Sequence, residues 1–241
     1  MKVRYLIPTV LLAGLVLAGC NVNKNINIPD HAHVSGSSTV NGEISVGTGA
    51  VVDGGLRTIN GRINVAAGAQ TGSLTSINGN ITLAHGVHAG DLKTVNGDFT
   101  LGKDTLTANL ASVNGDIHAA NGAHIAGDVG NVNGDMALCG AQLDGNLRFY
   151  NGSVLITAGG VVHGNVTAKK PTHDYQESQN MNEPVVIIGP HATIDGAIAF
   201  ERPGKLYVSD SAVIHTIEGA TTVKYSGPAP AGVRLPVCPA N

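Results

Sequence analysis

The chain has 241 residues, of which 33 are glycine, none is tryptophan and only 3% are aromatic, and its formal net charge is −3. This near-neutral balance offers no basic surface to nucleic acid, so we expect no nucleic-acid partner. Large aromatic side chains supply much of an ordinary globular core, so this interior has to be built from small aliphatic residues in a thin cross-section.

The N-terminus has the layout of a bacterial export signal. Lys2 and Arg4 precede an apolar run that is too short for a membrane-spanning helix and ends in Leu17-Ala18-Gly19-Cys20. This ending resembles the lipobox of bacterial lipoproteins. The resemblance implies that residues 1–19 are a cleaved signal peptide and that Cys20 carries a covalent lipid, which holds the protein on a membrane.

The residues after Cys20 indicate which membrane holds the protein. Asn21, rather than an aspartate, follows Cys20. By resemblance to lipoprotein sorting in Gram-negative bacteria, this implies the outer membrane, on its periplasmic side. We interpret residues 20–39, which precede the first Asn-Gly dipeptide, as a lipid-anchored tether.

A repeat of 18 or 19 residues follows. Its Asn-Gly dipeptides begin at Asn41, Asn60, Asn78, Asn96, Asn114, Asn133 and Asn151. The third and fifth residues after each asparagine are apolar and alternate with polar residues, as in a strand with one buried face. Glycine, asparagine and aspartate interrupt the chain every few residues, where we expect turns with positive φ.

Short strands, frequent turns and a fixed period predict an all-β fold, a single parallel β-solenoid of 18-residue coils stacked about 4.8 Å apart. Apolar columns then stack in the interior. One of these columns immediately precedes the asparagines and comprises Val40, Ile59, Ile77, Val95, Val113, Val132 and Tyr150.

The domain boundaries follow from where the repeat stops and resumes. We assign residues 40–168 to solenoid repeats, 169–184 to a polar loop with two prolines, and 185–225 to C-terminal coils. The proline-rich tail, residues 226–241, adds no strand easily, and we expect it either to cap the last coil or to hang free.

Two sets of phrases resemble known families. Residues 188–198 (IGPHATIDGAI) and 161–168 (VVHGNVTA) resemble bactofilins, the polymer-forming bacterial β-helix proteins, and residues 112–117 (SVNGDI) resemble β-strand-repeat putative adhesins. The likeness covers residues 40–219. The bactofilin resemblance implies a right-handed, three-sided helix that stacks end to end into filaments. The lipobox departs from bactofilins and puts a cytoskeletal function in doubt.

A left-handed hexapeptide helix is the alternative fold, since 18 is three times six. Its repeat has a small residue four positions after an aliphatic one. Here Val95 is followed by Phe99 and Val113 by Ile117, and these bulky residues favour the right-handed form.

Three groups of residues are candidate sites. The asparagines are predicted to form a structural ladder of side-chain hydrogen bonds, among them Asn60, Asn78, Asn96, Asn114 and Asn133. Asp98, Asp116 and Asp135 should stack about 4.8 Å apart and either attract a hard cation such as calcium or form a solvated acidic stripe that deters edge pairing. Cys139 and Cys238 could pair outside the cytoplasm, which spacing alone does not decide.

No constellation of catalytic residues or confident metal ligands can be placed on these repeats, so we expect no enzyme and no cofactor beyond the lipid on Cys20. The leading hypothesis is a non-enzymatic cell-envelope protein with a structural or scaffold role, self-assembling end to end. The alternative is an adhesin-like module that binds envelope polysaccharide or protein on its lateral faces. A carbohydrate-active enzyme is the third possibility.

Overall fold

The computed structural model describes residues 22–171 and 182–239. Within these ranges the chain forms strands and turns but no helix, and all strand pairs are parallel and join equivalent strands of neighbouring coils. The fold is therefore a parallel β-solenoid of eleven coils, and the prediction of an all-β solenoid is confirmed.

Each coil passes through three faces in the same order. Face I is an 11-stranded sheet of β1 (Ile26–Ile28), β4 (Ile44–Val46), β7 (Ile63–Val65), β10 (Ile81–Leu83), β12 (Phe99–Leu101), β15 (Ile117–Ala119), β18 (Met136–Cys139), β21 (Ser153–Thr157), β24 (Val185–Ile188), β27 (Lys205–Ser209) and β29 (Thr221–Tyr225). Face II is narrow and consists of β2 (His33–Val34), β5 (Val51–Val52), β8 (Gln70–Thr71), β13 (Leu106–Thr107), β16 (His124–Ile125), β19 (Gln142–Leu143), β22 (Val161–Val162) and β25 (Thr193–Ile194). Face III is a 10-stranded sheet of β3 (Ser37–Thr39), β6 (Leu56–Thr58), β9 (Leu74–Asn78), β11 (Leu92–Asn96), β14 (Leu110–Asn114), β17 (Val129–Asn133), β20 (Leu147–Asn151), β23 (Val166–Ala168), β26 (Ile198–Phe200) and β28 (Ile217–Glu218).

The interior is filled by ladders of like residues. On face I, Ile81 lies in register between Ile63 and Phe99, and all three are fully buried. On face III, Leu92 lies between Leu74 and Leu110 in the same way. Because each residue packs on its copies one coil away, aliphatic side chains fill the narrow cross-section without tryptophan.

The apolar column that precedes the asparagines lies outside, contrary to the prediction that it fills the interior. On β11, Leu92 and Thr94 are buried, whereas the alternating Lys93 and Val95 are not. Since successive side chains of a strand point to opposite faces, Val95 and its equivalents point outward.

On several face III strands, the second inward-pointing residue, two positions after the buried leucine, carries a hydroxyl group. Thr58 Oγ1 donates a hydrogen bond of 2.9 Å to the carbonyl of Gly42, and Ser76 Oγ donates one of 2.9 Å to Gly61. Burying a carbonyl oxygen without a partner is costly, so these hydroxyls satisfy the backbone of the Asn-Gly corner.

The solenoid begins earlier than the first Asn-Gly dipeptide. Residues 22–28 repeat the pattern of residues 40–46, and β1 pairs in register with β4. The prediction that residues 20–39 form a tether is therefore wrong from Ile26 onward. Lys24 stands where the other coils have the glycine of Asn-Gly, so the repeat pattern did not reveal this coil in the sequence.

Lys24 is tolerated because of its place in the stack. A Cβ atom on Gly42 would lie 2.1 Å from the carbonyl oxygen of Lys24, so a side chain at this position points at the preceding coil. No described strand precedes β1, and a side chain therefore fits at Lys24 but not at the equivalent glycines above it.

The ends of the loop at residues 169–184, which separates β23 from β24, are held by the next coil. The backbone amide of Lys170 donates a 3.1 Å hydrogen bond to Glu201 Oε2, and Arg202 Nη1 donates one of 2.8 Å to the carbonyl of Asn182. Residues 172–181 of the predicted loop lie outside the described residues.

Lack of space requires glycine at the Asn-Gly corners. A Cβ on Gly97 would lie 2.3 Å from the carbonyl oxygen of Gly79, although Gly97 does not have positive φ. Gly134 and Gly152, at two later Asn-Gly corners, do have positive φ, and further positive-φ turns lie at the corner between faces I and II, as at Gly68.

Substitution of Gly97 by alanine should therefore destabilise the solenoid by about 2–3 kcal/mol, because the added methyl group overpacks two coils. Gly130→Ala is the matched control, since a Cβ there meets nothing within 4 Å and its φ is not positive. Thermal unfolding followed by circular dichroism should show a lower Tm for Gly97→Ala only. Equal Tm values for the two variants would contradict the close approach of the coils.

Candidate functional site

The outward column on face III forms a continuous apolar surface, which we call the outer stripe. It consists of Val22, Val40, Ile59, Ile77, Val95, Val113, Val132 and Tyr150, one residue in each of the first eight coils. Val22 is 61% exposed, and the other seven are half-buried although none belongs to the core or packs against it. At the spacing of paired strands the outer stripe is about 34 Å long.

Charged residues end the outer stripe. The next two positions of the column are Lys169 and Glu201, which form an ion pair in place of the apolar contact. The outer stripe therefore occupies eight coils and stops at the coil from which the loop at residues 169–184 departs.

A column with three cations lies on one side of the outer stripe, two residues earlier in each strand, at Arg57, Lys93 and Arg148. Lys93 Nζ lies 3.7 Å from Asp91 Oδ2, and Arg148 Nη1 lies 2.8 Å from Asp128 Oδ2. All of these pairs are exposed to solvent, so they contribute little to stability, and the cations remain accessible to a partner.

The asparagine ladder lies on the other side. Asn96 Nδ2 donates a 2.8 Å hydrogen bond to Asn78 Oδ1, and Asn114 Nδ2 donates one of 2.9 Å to Asn96 Oδ1. The same bond links Asn60 to Asn41, Asn78 to Asn60 and Asn133 to Asn114. The structure thus places the predicted asparagines in a ladder, and it extends this ladder down to Asn23.

The predicted acidic stripe lies beyond this ladder, where its carboxylates hold the backbone of the next coil. Asp98 Oδ1 accepts a 2.8 Å hydrogen bond from the amide of Asp116, and Asp116 Oδ1 accepts one of 2.7 Å from Asp135. Asp135 Oδ1 likewise accepts a 2.8 Å hydrogen bond from the backbone amide of Ser153. Within residues 22–171 and 182–239, no group of three or more histidine, cysteine or acidic side chains is placed to hold a metal ion, so the structure gives the suggested calcium no support.

A second column of the same kind was missed in the sequence. It lies at the corner between faces II and III and contains Asp91, Asn109, Asp128, Asn146 and Asn165. Each side chain accepts a hydrogen bond from the backbone amide of the next coil. The available signal was the Asx residue that precedes the first buried residue of face III in five successive coils, from Leu92 to Val166.

These hydrogen bonds favour the ionised form of the carboxylates. Hydrogen bonds from Asn109 hold the pKa of Asp91 below its ordinary value, against an opposing effect of burial. Burial raises the pKa of Asp128, but the amide of Asn146 and the guanidinium of Arg148 outweigh it, so the pKa is lowered.

Face II carries an exposed network of histidines and aspartates. His124 Nε2 lies 2.7 Å from Asp144 Oδ2, and His163 Nδ1 lies 2.6 Å from Asp195 Oδ2. Gln142 Nε2 donates a 2.8 Å hydrogen bond to Asp144 Oδ1 and lies 3.4 Å from His163 Nε2. Hydrogen bonds from Gln142 and His124 lower the pKa of Asp144. The paired side chains of this network are exposed to solvent.

The C-terminal tail lies along face I. A disulfide joins Cys139, at the end of β18, to Cys238, and His118 Nδ1 donates a 2.8 Å hydrogen bond to the carbonyl of Val237. The tail therefore does not hang free, which was one of the two expectations, but returns from β29 to β18, four coils back on face I.

The tail accounts for apolar residues on the outside of face I. Outward positions there are polar and partly exposed at Ser45 and Thr82, but Ala137, Leu155 and Ile187 are apolar and at most 4% exposed. The tail is fastened to the same face at Cys139, and we interpret the burial of these residues as cover by the tail. The proline-rich composition suits the tail to such a strap, because proline fixes the backbone without needing a strand partner.

Cys20, the predicted lipidation site, lies outside the described residues, as do residues 1–19. In the part of the chain that the structure describes, no helix is long and apolar enough to cross a membrane. Comparisons with models of known protein families, with curated proteins and with solved structures found no match for this chain.

The lowered pKa values of Asp91 and Asp128 predict acid sensitivity. A carboxylate with a depressed folded-state pKa stabilises the fold above its unfolded pKa, and this contribution is lost as the pH falls through the folded-state value. The Tm should therefore be steady above about pH 5 and fall below the ordinary aspartate value of 3.8. An Asp91→Asn, Asp128→Asn double variant retains the acceptor oxygens and should show a shallower decline between pH 5 and pH 3. An unchanged decline would contradict the assignment.

Removal of the disulfide should release the tail without unfolding the coils. In a Cys139→Ala, Cys238→Ala variant, we expect unchanged far-ultraviolet circular dichroism, proteolysis between residues 226 and 241, and increased binding of a hydrophobic dye as Leu155 and Ile187 become exposed. The Tm should fall, corresponding to about 2–4 kcal/mol. If limited proteolysis and mass spectrometry show that the tail of this variant is not cleaved, contacts other than the disulfide hold this segment.

Proposed function

We propose that this protein is a non-enzymatic interaction protein of the bacterial cell envelope, held on the membrane by a lipid on Cys20, and that it acts through its lateral face III. The observation that carries the proposal is the outer stripe. It is a row of apolar side chains maintained over eight coils at a position where the solenoid itself needs none.

The position of the outer stripe supports a binding role. Single exposed apolar residues are common on protein surfaces, but contiguous apolar patches mark sites of interaction. Apolar residues that point outward on face I, such as Leu155, are buried, and the tail is fastened to that face at Cys139. The outer stripe is instead exposed at Val22 and half-buried at its other seven positions, so it is partly accessible to a partner along its length.

End-to-end stacking, which the resemblance to bactofilins implies, has less support. At the N-terminal end, the side chain of Lys24 points to where a preceding coil would lie. At the C-terminal end, β29 puts Thr222 and Lys224 in register with the interior residues Leu206 and Val208. A lysine in an interior column opposes the addition of another coil, which is a common protection of edge strands.

The location in the envelope has independent support. Disulfides persist in oxidising compartments and are rare in the cytosol, so the Cys139–Cys238 bond agrees with export. Most amide and carboxylate side chains at the corners donate or accept hydrogen bonds within the ladders, as Asn96 and Asp116 do. Because these side chains are already engaged, the arrangement favours a structural or binding role over catalysis.

Photo-cross-linking in the bacterium that produces the protein would test the lateral role. A photoreactive residue at Val95 or Val113 should give adducts, whereas the same residue at Thr100, which points outward on face I, should give none. A residue at Thr222, which continues the interior column of Leu206 at the open edge of the last coil, is the comparison for the ends. Adducts from Thr222 alone would overturn the proposal in favour of end-to-end assembly.

The lysines at the two ends predict that the full chain in detergent forms no filaments. A Lys24→Gly, Lys224→Val double variant should begin to associate end to end as its concentration rises, because both obstacles to coil stacking are gone. Sedimentation velocity and negative-stain microscopy measure this, with Lys103→Ala, an exposed lysine on a lateral corner, as the control. Filaments of the unmodified chain would show that the lysines do not block stacking.

A further inference from the structure

We propose that the Asn151-Gly152 dipeptide is a site of covalent modification, at which the folded chain loses ammonia and converts asparagine to aspartate and isoaspartate. The inference goes beyond the proposed function, since it concerns a change in the chain itself rather than the binding of a partner. It follows from the different hydrogen bonds that identical Asn-Gly dipeptides make at equivalent corners of the solenoid.

The reaction uses only the dipeptide and water. Asparagine is a chemically labile residue, and a following glycine favours its loss of ammonia without an enzyme. The backbone nitrogen of the glycine gives up its proton and attacks Cγ of the asparagine, so that an N–Cγ bond forms, the Cγ–Nδ2 bond breaks and ammonia leaves. Water then opens the cyclic imide at either carbonyl, which gives aspartate or isoaspartate. Both the glycine amide and the asparagine side chain must therefore leave their hydrogen bonds before the attack.

The coils hold the glycine amide at four of the Asn-Gly corners. Hydrogen bonds of 2.9 to 3.2 Å to an asparagine carbonyl of the next coil are donated by the amides of Gly79, Gly97, Gly115 and Gly134. They form where the strand pairing of face III extends to the asparagine itself, as in Asn78↔Asn96 and Asn133↔Asn151. An amide bonded between paired strands is protected until the coils separate locally.

The glycine amides of the other three corners lack this bond. Among the hydrogen bonds of the described residues, none is donated by the amides of Gly42, Gly61 or Gly152. At Gly152 the reason is the next coil, because the pairing of β20 with β23 stops at Phe149↔Ala168 and the chain then leaves face III. No paired asparagine therefore lies above Asn151 to accept the amide.

The side chain of Asn151 is also held less firmly than the inner members of the ladder. Asn96, for example, donates to the coil below and accepts from the coil above. Asn151 Nδ2 donates one bond of 3.4 Å to Asn133 Oδ1, and Asn151 Oδ1 is buried without a hydrogen-bond partner. A buried carbonyl oxygen without a partner is costly, so little opposes rotation of this side chain out of the ladder.

These two differences place the dipeptides in an order. Asn151 lacks both restraints, whereas Asn41 and Asn60 lack only the bond to the glycine amide, because the ladder holds their side chains on both sides. The four remaining asparagines keep the bonded glycine amide. We expect Asn151 to react about tenfold faster than these four in the folded chain, since fewer hydrogen bonds have to break.

The product changes the end of the outer stripe. The reaction removes the Nδ2 donor to Asn133 and leaves a carboxylate directly after Tyr150, the last apolar residue of the outer stripe. Isoaspartate also adds a methylene group to the backbone, at a corner where a Cβ on Gly152 would lie 2.1 Å from the carbonyl oxygen of Gly134. The modified chain therefore carries one more negative charge beside face III and a distorted corner.

Peptide mapping of the full chain, aged in its folded state at mildly alkaline pH, tests this order within one molecule. The dipeptides are controls for one another, because tandem mass spectrometry of proteolytic peptides measures aspartate and isoaspartate at each of them. Both products should accumulate first at Asn151 and last at Asn78, Asn96, Asn114 and Asn133. A rate at Asn151 no higher than that at Asn96 would overturn the proposal.

The unfolded chain separates the effect of the fold from that of the local sequence. In denaturant with the disulfide reduced, Asn151 and Asn96 should react at rates within about twofold of each other, since the coil contacts are gone. If Asn151 keeps its tenfold lead over Asn96 in the unfolded chain, the fold is not the cause and the proposal is overturned.

Loss of the last ladder bond tests the restraint on the side chain. Asn133→Ala removes the acceptor of Asn151 and should raise the rate at Asn151 about threefold, with Asn78, three coils away, unchanged as the internal control. An equal rise at Asn78 would indicate general loosening of the coils, and it would contradict the assignment to the ladder, as would an unchanged rate at Asn151.

Discussion

Parallel hydrogen bonding between successive coils is the constraint on which the rest of this structure depends. It holds each coil about 4.8 Å from the next and places equivalent residues directly above one another. At that distance two coils leave no room for a side chain between their Asn-Gly corners, which is why a Cβ on Gly115 would lie 2.0 Å from a carbonyl oxygen. The same distance lets amide groups of stacked asparagines reach each other, so one spacing explains both residues of the dipeptide.

The ladders separate most polar groups from the apolar ones, although the buried hydroxyls of Thr94 and Ser112 have no hydrogen-bond partner. Corner side chains accept backbone amides of the next coil, and buried hydroxyls such as that of Ser76 satisfy the corner carbonyls. Aliphatic residues fill what remains of the interior. This economy makes the outer stripe conspicuous, because its residues serve neither the hydrogen bonds of the corners nor the packing of the core.

The exceptions to the repeat give the solenoid its limits. Lys24 and Lys224 stand where a repeat that continued would have glycine and an aliphatic residue, and they protect two open edges. The tail protects the apolar part of face I and is fastened there by a disulfide between residues 99 positions apart in the chain. The outer stripe on face III is exposed at Val22 and half-buried at its other seven positions. These differences between faces support lateral rather than axial association.

The sequence by itself determined the period, the strand class and the interior columns of Ile81 and Leu92, because local alternation and a fixed repeat permit one kind of stacking. It also pointed to the asparagine ladder, since equal spacing brings equal residues together. Tertiary structure decided that the column of Val95 lies outside, because β11 runs unbroken from Leu92 to the corner and Val95, three residues after the buried leucine, therefore points away from the core. It alone showed that Lys24 belongs to a coil, that Asp128 holds the backbone of the next coil, and that the tail returns to Cys139. These features depend on contacts between coils or across a face, and spacing along the chain does not encode them.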